Sequence, residues 1–258
     1  STGAVTAVSG DHLKFSGVTV SGDIVINTSD TDAPSVLNSA VDMEDTTVTG
    51  SVYAGYTVGG NATGNSATIA GNIDIQSDNL YGGYTMSGEA SNNVVNISDA
   101  SVDIGGTDTE DEIDGDSDVR GVVAGGAYSG SASENEVIID SSTVRADVTG
   151  GYVFIGNAMN NTVSVSNSET VYVFGGFAYG SGDVSGNTVS ISESVAVDGI
   201  IYGGVTNSGN ATGNTVSISS TSLEAAVGGQ TNEDGDATGN TVILSDVTRA
   251  NDVSGDVI

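Results

Sequence analysis

Carboxylates are the residues of this chain most able to do chemistry. There are 34 Asp and Glu against four basic residues, Lys14, Arg120, Arg145 and Arg249, for a formal net charge of −30. The densest group is Asp114-Gly-Asp-Ser-Asp118, which places Asp114, Asp116 and Asp118 at alternate positions. Calcium takes six to eight oxygen ligands, so these three are the candidate calcium ligands, although the full helix–loop–helix calcium pattern is absent. The competing reading is a solvated acidic loop. Paired carboxylates also serve glycoside hydrolysis when about 5–10 Å apart. With so many acids some pair meets that spacing by chance, and the spacing alone identifies no site.

The other catalytic residue types are sparse or unpartnered. His12 is the only histidine, there is no cysteine, and no Gly-x-Ser-x-Gly elbow joins a strand to a helix. No catalytic residue and no cofactor motif is assigned, and the chain is read as not an enzyme. A polysaccharide-active β-helix enzyme is kept as an alternative, opposed by the scattered basic residues and by repulsion of an anionic substrate. Four basic residues cannot build the footprint of a nucleic-acid binder. No run approaches the roughly 20 apolar residues of a membrane-spanning helix, so direct membrane insertion is not expected.

The elements that would position any such group follow from repetition. A motif Asn-x-Val-x-Ile starts at Asn65, Asn93, Asn135, Asn161, Asn187, Asn214 and Asn240, with steps of 28, 42, 26, 26, 27 and 26 residues. The second and fourth residues after each Asn are apolar, as in Val189 and Ile191, and the alternate ones are mostly polar, as in Thr188 and Ser190. Side chains alternate across a strand, so each motif is a strand with one buried face. One such unit cannot cover its own apolar face, whereas stacked copies can. The sequence therefore predicts an all-β fold, a right-handed parallel β-helix with one coil of about 26 residues per repeat.

A small pair keeps the same period. Its second member is Gly55, Gly83, Gly126, Gly151, Gly176, Gly204 and Gly229, often with an aromatic nearby. The reading is a tight corner with positive φ at Gly-Gly, and a corner at each repeated Asn, which tolerates the left-handed conformation and whose side chain can bond its stacked neighbour. Aromatics before the pair (Tyr53, Tyr81, Phe174, Tyr202) and after it (Tyr56, Tyr84, Tyr152, Phe177) are expected to stack along the axis. Ser208-Gly-Asn-Ala-Thr212 and Asp234-Gly-Asp-Ala-Thr238 read as surface loops. Rows such as Thr162/Ser164 and Thr188/Ser190 are similar to the flat Thr rows of ice-binding solenoids, but Thr and Ser also suit any exposed strand face.

Residues 1–50 are less regular and read as N-terminal coils or a cap. Residues 51–258 carry the repeats, with an acidic insertion at about 105–120. The last residues, Gly255-Asp256-Val257-Ile258, resemble the opening of a further element, and no polar cap is evident there. End-to-end stacking of copies into an extracellular filament is the alternative this raises.

Tyr202-Gly-Gly-Val and Ser208-Gly-Asn-Ala-Thr-Gly-Asn-Thr-Val-Ser-Ile218 resemble the repeats of bacterial autotransporter passenger regions and similar repeat-containing surface adhesins. The resemblance covers roughly residues 50–245 and has no counterpart of a C-terminal translocator barrel. It implies a β-helix on a bacterial cell surface or secreted from the cell, with a structural or adhesive role. Its partner would be a host or bacterial surface component, or copies of itself. The resemblance transfers no catalytic residue.

Overall fold

The structure is a computed structural model, and it describes residues 3–27, 35–77, 79–105, 121–193, 196–221, 223–247, 252–254 and 256–257. It is an all-β parallel solenoid of about eight turns, with no helix among the described residues. The Asn-led strands pair in parallel with their copies in adjacent coils. Thr162–Ser166 pairs with Thr188–Ser192, which pairs with Thr215–Ser219, each residue opposite its counterpart. Their burial alternates along each strand, as the Val/Ile spacing requires. Val163, Val189 and Val216 are fully buried, and one contiguous core of such residues runs from Val20 to Val242. Each Val or Ile so buried stabilises the fold by roughly 1.5–3 kcal/mol.

Each coil follows one route. After the Asn-led strand comes a left-handed turn, occupied by Asp45, Asp99, Ser141, Asn167, Glu193, Ser220 and Asp246 in successive coils, with Gly71 among them. A long strand then passes the small pair, as in Ala196–Ser208. A glycine corner and a short bridge such as Ala211–Thr212 lead to the next Asn. The described strands of residues 1–50 stack on this array. Val5–Val8 pairs with Ile24–Asn27, and His12–Ser16 pairs with Ala40–Val48. The long step from Asn93 to Asn135 leaves the register intact, because Val95 still faces Val137 and Gly83 faces Gly125.

Two corner assignments need correction. The repeated Asn residues are not left-handed. The left-handed residue is the one before: Asn38, Gly64, Asn92, Glu134, Asn160, Gly186, Gly213 and Gly239. That frees each repeated Asn to turn its side chain inward. Nor do the Gly pairs turn with positive φ; they lie within or beside strands. Their requirement is space. A Cβ on Gly55, Gly83, Gly125, Gly151, Gly176, Gly204 or Gly229 would strike the inward amide of the Asn that opens the next coil. The column runs through Gly125 rather than Gly126, which stands opposite Tyr84 and Tyr152.

The corner that does demand glycine is another one. Gly88, Gly130, Gly156, Gly182, Gly209 and Gly235 have φ between +131° and +151°. From Gly88 to Gly235, a Cβ at each would run into the carbonyl of a glycine in the preceding coil, beginning with Gly60.

Candidate interaction face

The buried polar centre of the coil is an amide ladder. Asn187 Oδ1 accepts from the backbone N–H and the Nδ2 of Asn161, both at 2.9 Å. Asn187 Nδ2 donates to the carbonyl of Ala158 at 3.0 Å and to Asn214 Oδ1 at 2.9 Å. The same linkage joins Asn65, Asn93, Asn135, Asn161, Asn187, Asn214 and Asn240. Ser39 continues it at the N-terminal side, donating its N–H to Asn65 Oδ1 and accepting from Gly10. All seven Asn are at most 5% exposed, and an unpaired amide there would be costly. The ladder is saturated by the protein itself and offers nothing to a ligand; its role is to hold coils in register.

The acids and amides at the glycine corner form a second, exposed ladder. Asn157 Oδ1 accepts from Asp183 N–H, Asp183 Oδ1 from Asn210 N–H, and Asn210 Oδ1 from Asp236 N–H, at 2.8–3.0 Å. The Gly-Asn-Ala-Thr segments read as loops are thus hydrogen-bonded rungs. Asp114, Asp116 and Asp118 lie outside the described residues. Among the described residues no group of three His, Cys, Asp or Glu is placed to hold a metal. His12 binds Asp42 at 2.8 Å at the exposed N-terminal side, and Lys14 reaches the same carboxylate at 3.1 Å. Partial burial raises the Asp42 pKa, but the hydrogen bonds from His12 and Lys14 outweigh it, so the carboxyl sits below its usual range.

The feature that stands apart is the outer surface of the long strand. Three columns run along the solenoid axis there, the first two largely buried and the third partly exposed. The first is Tyr53, Tyr81, Val123, Thr149, Phe174, Tyr202; the second is Tyr56, Tyr84, Gly126, Tyr152, Phe177, Val205. The third is Val58, Met86, Tyr128, Phe154, Tyr179, each beside its counterpart because the neighbouring residues pair in order. In a chain of 34 acids, no charged residue occurs in these columns. Val58 is 65% exposed and Tyr128 43%, and Ile155 beside them is 46% exposed.

The rings interlock. Tyr53 stacks on Tyr81 with centroids 5.2 Å apart, and Phe174 stacks on Tyr202 at the same distance. Phe154 lies between Tyr128 at 4.8 Å and Tyr179 at 5.3 Å, stacked on both. Phe177 ties the columns together, meeting Phe174, Tyr152 and Tyr179. Where the second column lacks a ring, at Gly126, the Tyr84 and Tyr81 rings fill the space, 2.8 and 2.9 Å from where a Cβ would stand. Thr149 replaces a ring in the first column, and its hydroxyl is buried with no hydrogen-bond partner. Burial pushes the Tyr202 phenol pKa up, and nearby Tyr172 adds to the shift.

The aromatic pairs flanking Gly-Gly were visible in the sequence. The third column was not, because it mixes Val, Met, Tyr and Phe, which share no motif. Its signal was positional: Val58, Met86, Tyr128 and Phe154 each lie seven residues before a repeated Asn. Comparison with family profiles, curated proteins and solved structures returns no match.

Proposed function

We propose that this chain is a non-catalytic structural and adhesive module of a bacterial surface or secreted protein, a rigid rod that presents the aromatic face to a partner. The observation that supports it is that face: an uncharged, partly exposed apolar strip on an otherwise acidic molecule. The largest apolar patch of a soluble protein, typically a few hundred Å², is often its interaction site. The buried amide ladder supports the rod, since it fixes the register that keeps the columns aligned.

Adhesion by cells displaying the full chain tests the proposal. Val58→Glu with Tyr128→Glu places charge at two exposed positions of the face, while Ser190→Glu does so on the Asn-led strand, whose outward residues form a separate surface. The reading requires that the first variant lose adhesion and the second keep it. Equal adhesion by both would remove the face from the account.

A further inference from the structure

We infer that the polar cleft beside the left-handed turn binds a neutral glycan chain, laid along the solenoid axis with about one sugar residue to each coil. The cleft lies on a different part of the coil from the aromatic face and stands without the adhesive reading of that face. Three observations carry it.

The first is the cleft itself. It holds about 580 Å³ and is built from one triplet per coil, residues 99–101, 141–143 and 167–169, extended by residues 71–72. Small-molecule sites occupy about 300–1,000 Å³. The middle residue of each triplet is buried and forms the floor. Ser142 Oγ accepts from the Ala100 N–H at 3.1 Å and donates to the Asp140 carbonyl at 2.7 Å. Ser168 Oγ accepts from the Ser142 N–H at 3.0 Å and donates to the Ser166 carbonyl at 2.6 Å. The floor is therefore fixed before a ligand arrives, which lowers the cost of binding.

The second is what the rims leave open. Along one rim Asn72, Ser101, Thr143 and Glu169 are register partners in successive coils. On the facing rim Ser141 and Asn167 are tied to Asp140, and Asp99 completes the row. Among the described residues, the side chains of Asn72, Asp99, Ser101, Thr143 and Glu169 make no hydrogen bond. The Asn ladder and the glycine-corner ladder spend their polar side chains on joining coil to coil. This cleft instead presents two carboxylates, two hydroxyls and an amide to whatever enters it.

The third is the match in chemistry and spacing. A sugar hydroxyl both donates and accepts, so it can meet a carboxylate, a hydroxyl or an amide. Each rim repeats at one strand spacing, about 4.7–4.9 Å, close to the length of one residue in an extended glycan chain. Asp99 and Glu169 stand on opposite rims two coils apart, about 9–10 Å along the axis, with hydroxyls between them, so one small cation does not reach both. An acidic glycan is opposed by both carboxylates and by the net charge of −30, against which Arg145, two residues beyond Thr143, sets a single cation. No aromatic residue lines the cleft, so binding rests on hydrogen bonds and is weak for one chain.

Saturation-transfer NMR on the full chain tests this, with cellohexaose, mannohexaose and chitohexaose as neutral probes and hexagalacturonate and hexalysine as charged ones. The expected result is transfer to at least one neutral hexaose, with an affinity that salt leaves unchanged. Asp99→Ala with Glu169→Ala removes two charge-assisted hydrogen bonds and should weaken that binding at least about tenfold, with an unchanged circular dichroism spectrum. Val58→Glu with Tyr128→Glu, on the aromatic face, should leave it unaltered. Transfer to none of the three neutral hexaoses overturns the inference, as does equal binding by the cleft variant and the wild type. Binding of hexalysine or hexagalacturonate alone, weakened by salt, overturns it too. Adhesion that survives the cleft variant leaves the reading of the aromatic face standing, whichever way the glycan result falls. Release of reducing ends from a bound hexaose would keep the cleft as a glycan site and overturn the non-catalytic reading.

Discussion

Replacing Asn187 with Ala should be among the most damaging changes that a single polar side chain of this protein allows. Asn187 is fully buried in the middle of the ladder and makes four hydrogen bonds. Its loss strands the backbone N–H and one Nδ2 hydrogen of Asn161, and takes a donor from the carbonyl of Ala158. Asn214 Oδ1 suffers less, because the residue 187 backbone still donates to it. A buried polar group without a partner costs about 1–3 kcal/mol. Two stranded donors and the empty volume together give about 3–5 kcal/mol. Urea denaturation followed by circular dichroism measures the total. Amide exchange locates it: protection should fall near residues 161–214 and hold near residues 66–75, since solenoid coils couple mainly to their neighbours.

Asn187→Asp sharpens the test. It keeps both acceptors but aims a carboxylate at the Ala158 carbonyl and Asn214 Oδ1. That surrounding raises the folded-state pKa of the new acid above its unfolded value of about 3.9. The penalty must then grow as pH rises past the unfolded value and shrink below it. A loss under about 1 kcal/mol for Asn187→Ala would refute the claim that the amide is a saturated structural rung. So would an Asn187→Asp protein as stable as wild type at neutral pH.

Other substitutions probe the remaining columns. Thr149→Val keeps the shape and removes a buried hydroxyl that has no partner, so it should stabilise the fold by about 1 kcal/mol in urea denaturation. Gly156→Ala drives a Cβ into the Gly130 carbonyl and should prevent folding to a soluble product. Gly213→Ala, at φ +63° with open space around it, should cost only about 1–2 kcal/mol. The Asp42 carboxyl has a folded pKa below its ordinary value, so its stabilisation is present above the unfolded pKa and is lost as pH falls through the folded one. Acidification also relieves the repulsion among 34 acids, so the difference between wild type and Asp42→Asn in thermal melts below pH about 4 is the quantity to follow. It should narrow as pH drops.

How far the sequence could be read depended on what each position does in the stack. Asn-x-Val-x-Ile revealed the strand, its inward residues and the coil, because burial imposes the same residue types in every copy. The left-handed position was harder, since Asn38, Gly64, Glu134 and Gly239 share a backbone shape rather than a side chain. Gly-Gly was recognised as a repeat but given the wrong cause. Its purpose is to make room for an amide that arrives from about ten residues further along the chain, as Gly151 does for Asn161. The exposed third column escaped notice for two reasons. Exposure tolerates varied apolar residues, and an extra residue between Ala178 and Ser181 shifts Tyr179 off the seven-residue offset.

Every aligned face described above exists only if the coils stack one residue upon its counterpart. Because the chain has no cysteine, spin labels attach only where one is introduced. Thr68 and Ser217 lie in one column five coils apart, through Asn96, Ile138, Ser164 and Ser190. Nitroxides on the double variant Thr68→Cys, Ser217→Cys should give a narrow dipolar distance distribution centred near five strand spacings, about 24 Å. A broad distribution, or one centred beyond about 40 Å, more than eight such spacings, would contradict the stack and the face built on it.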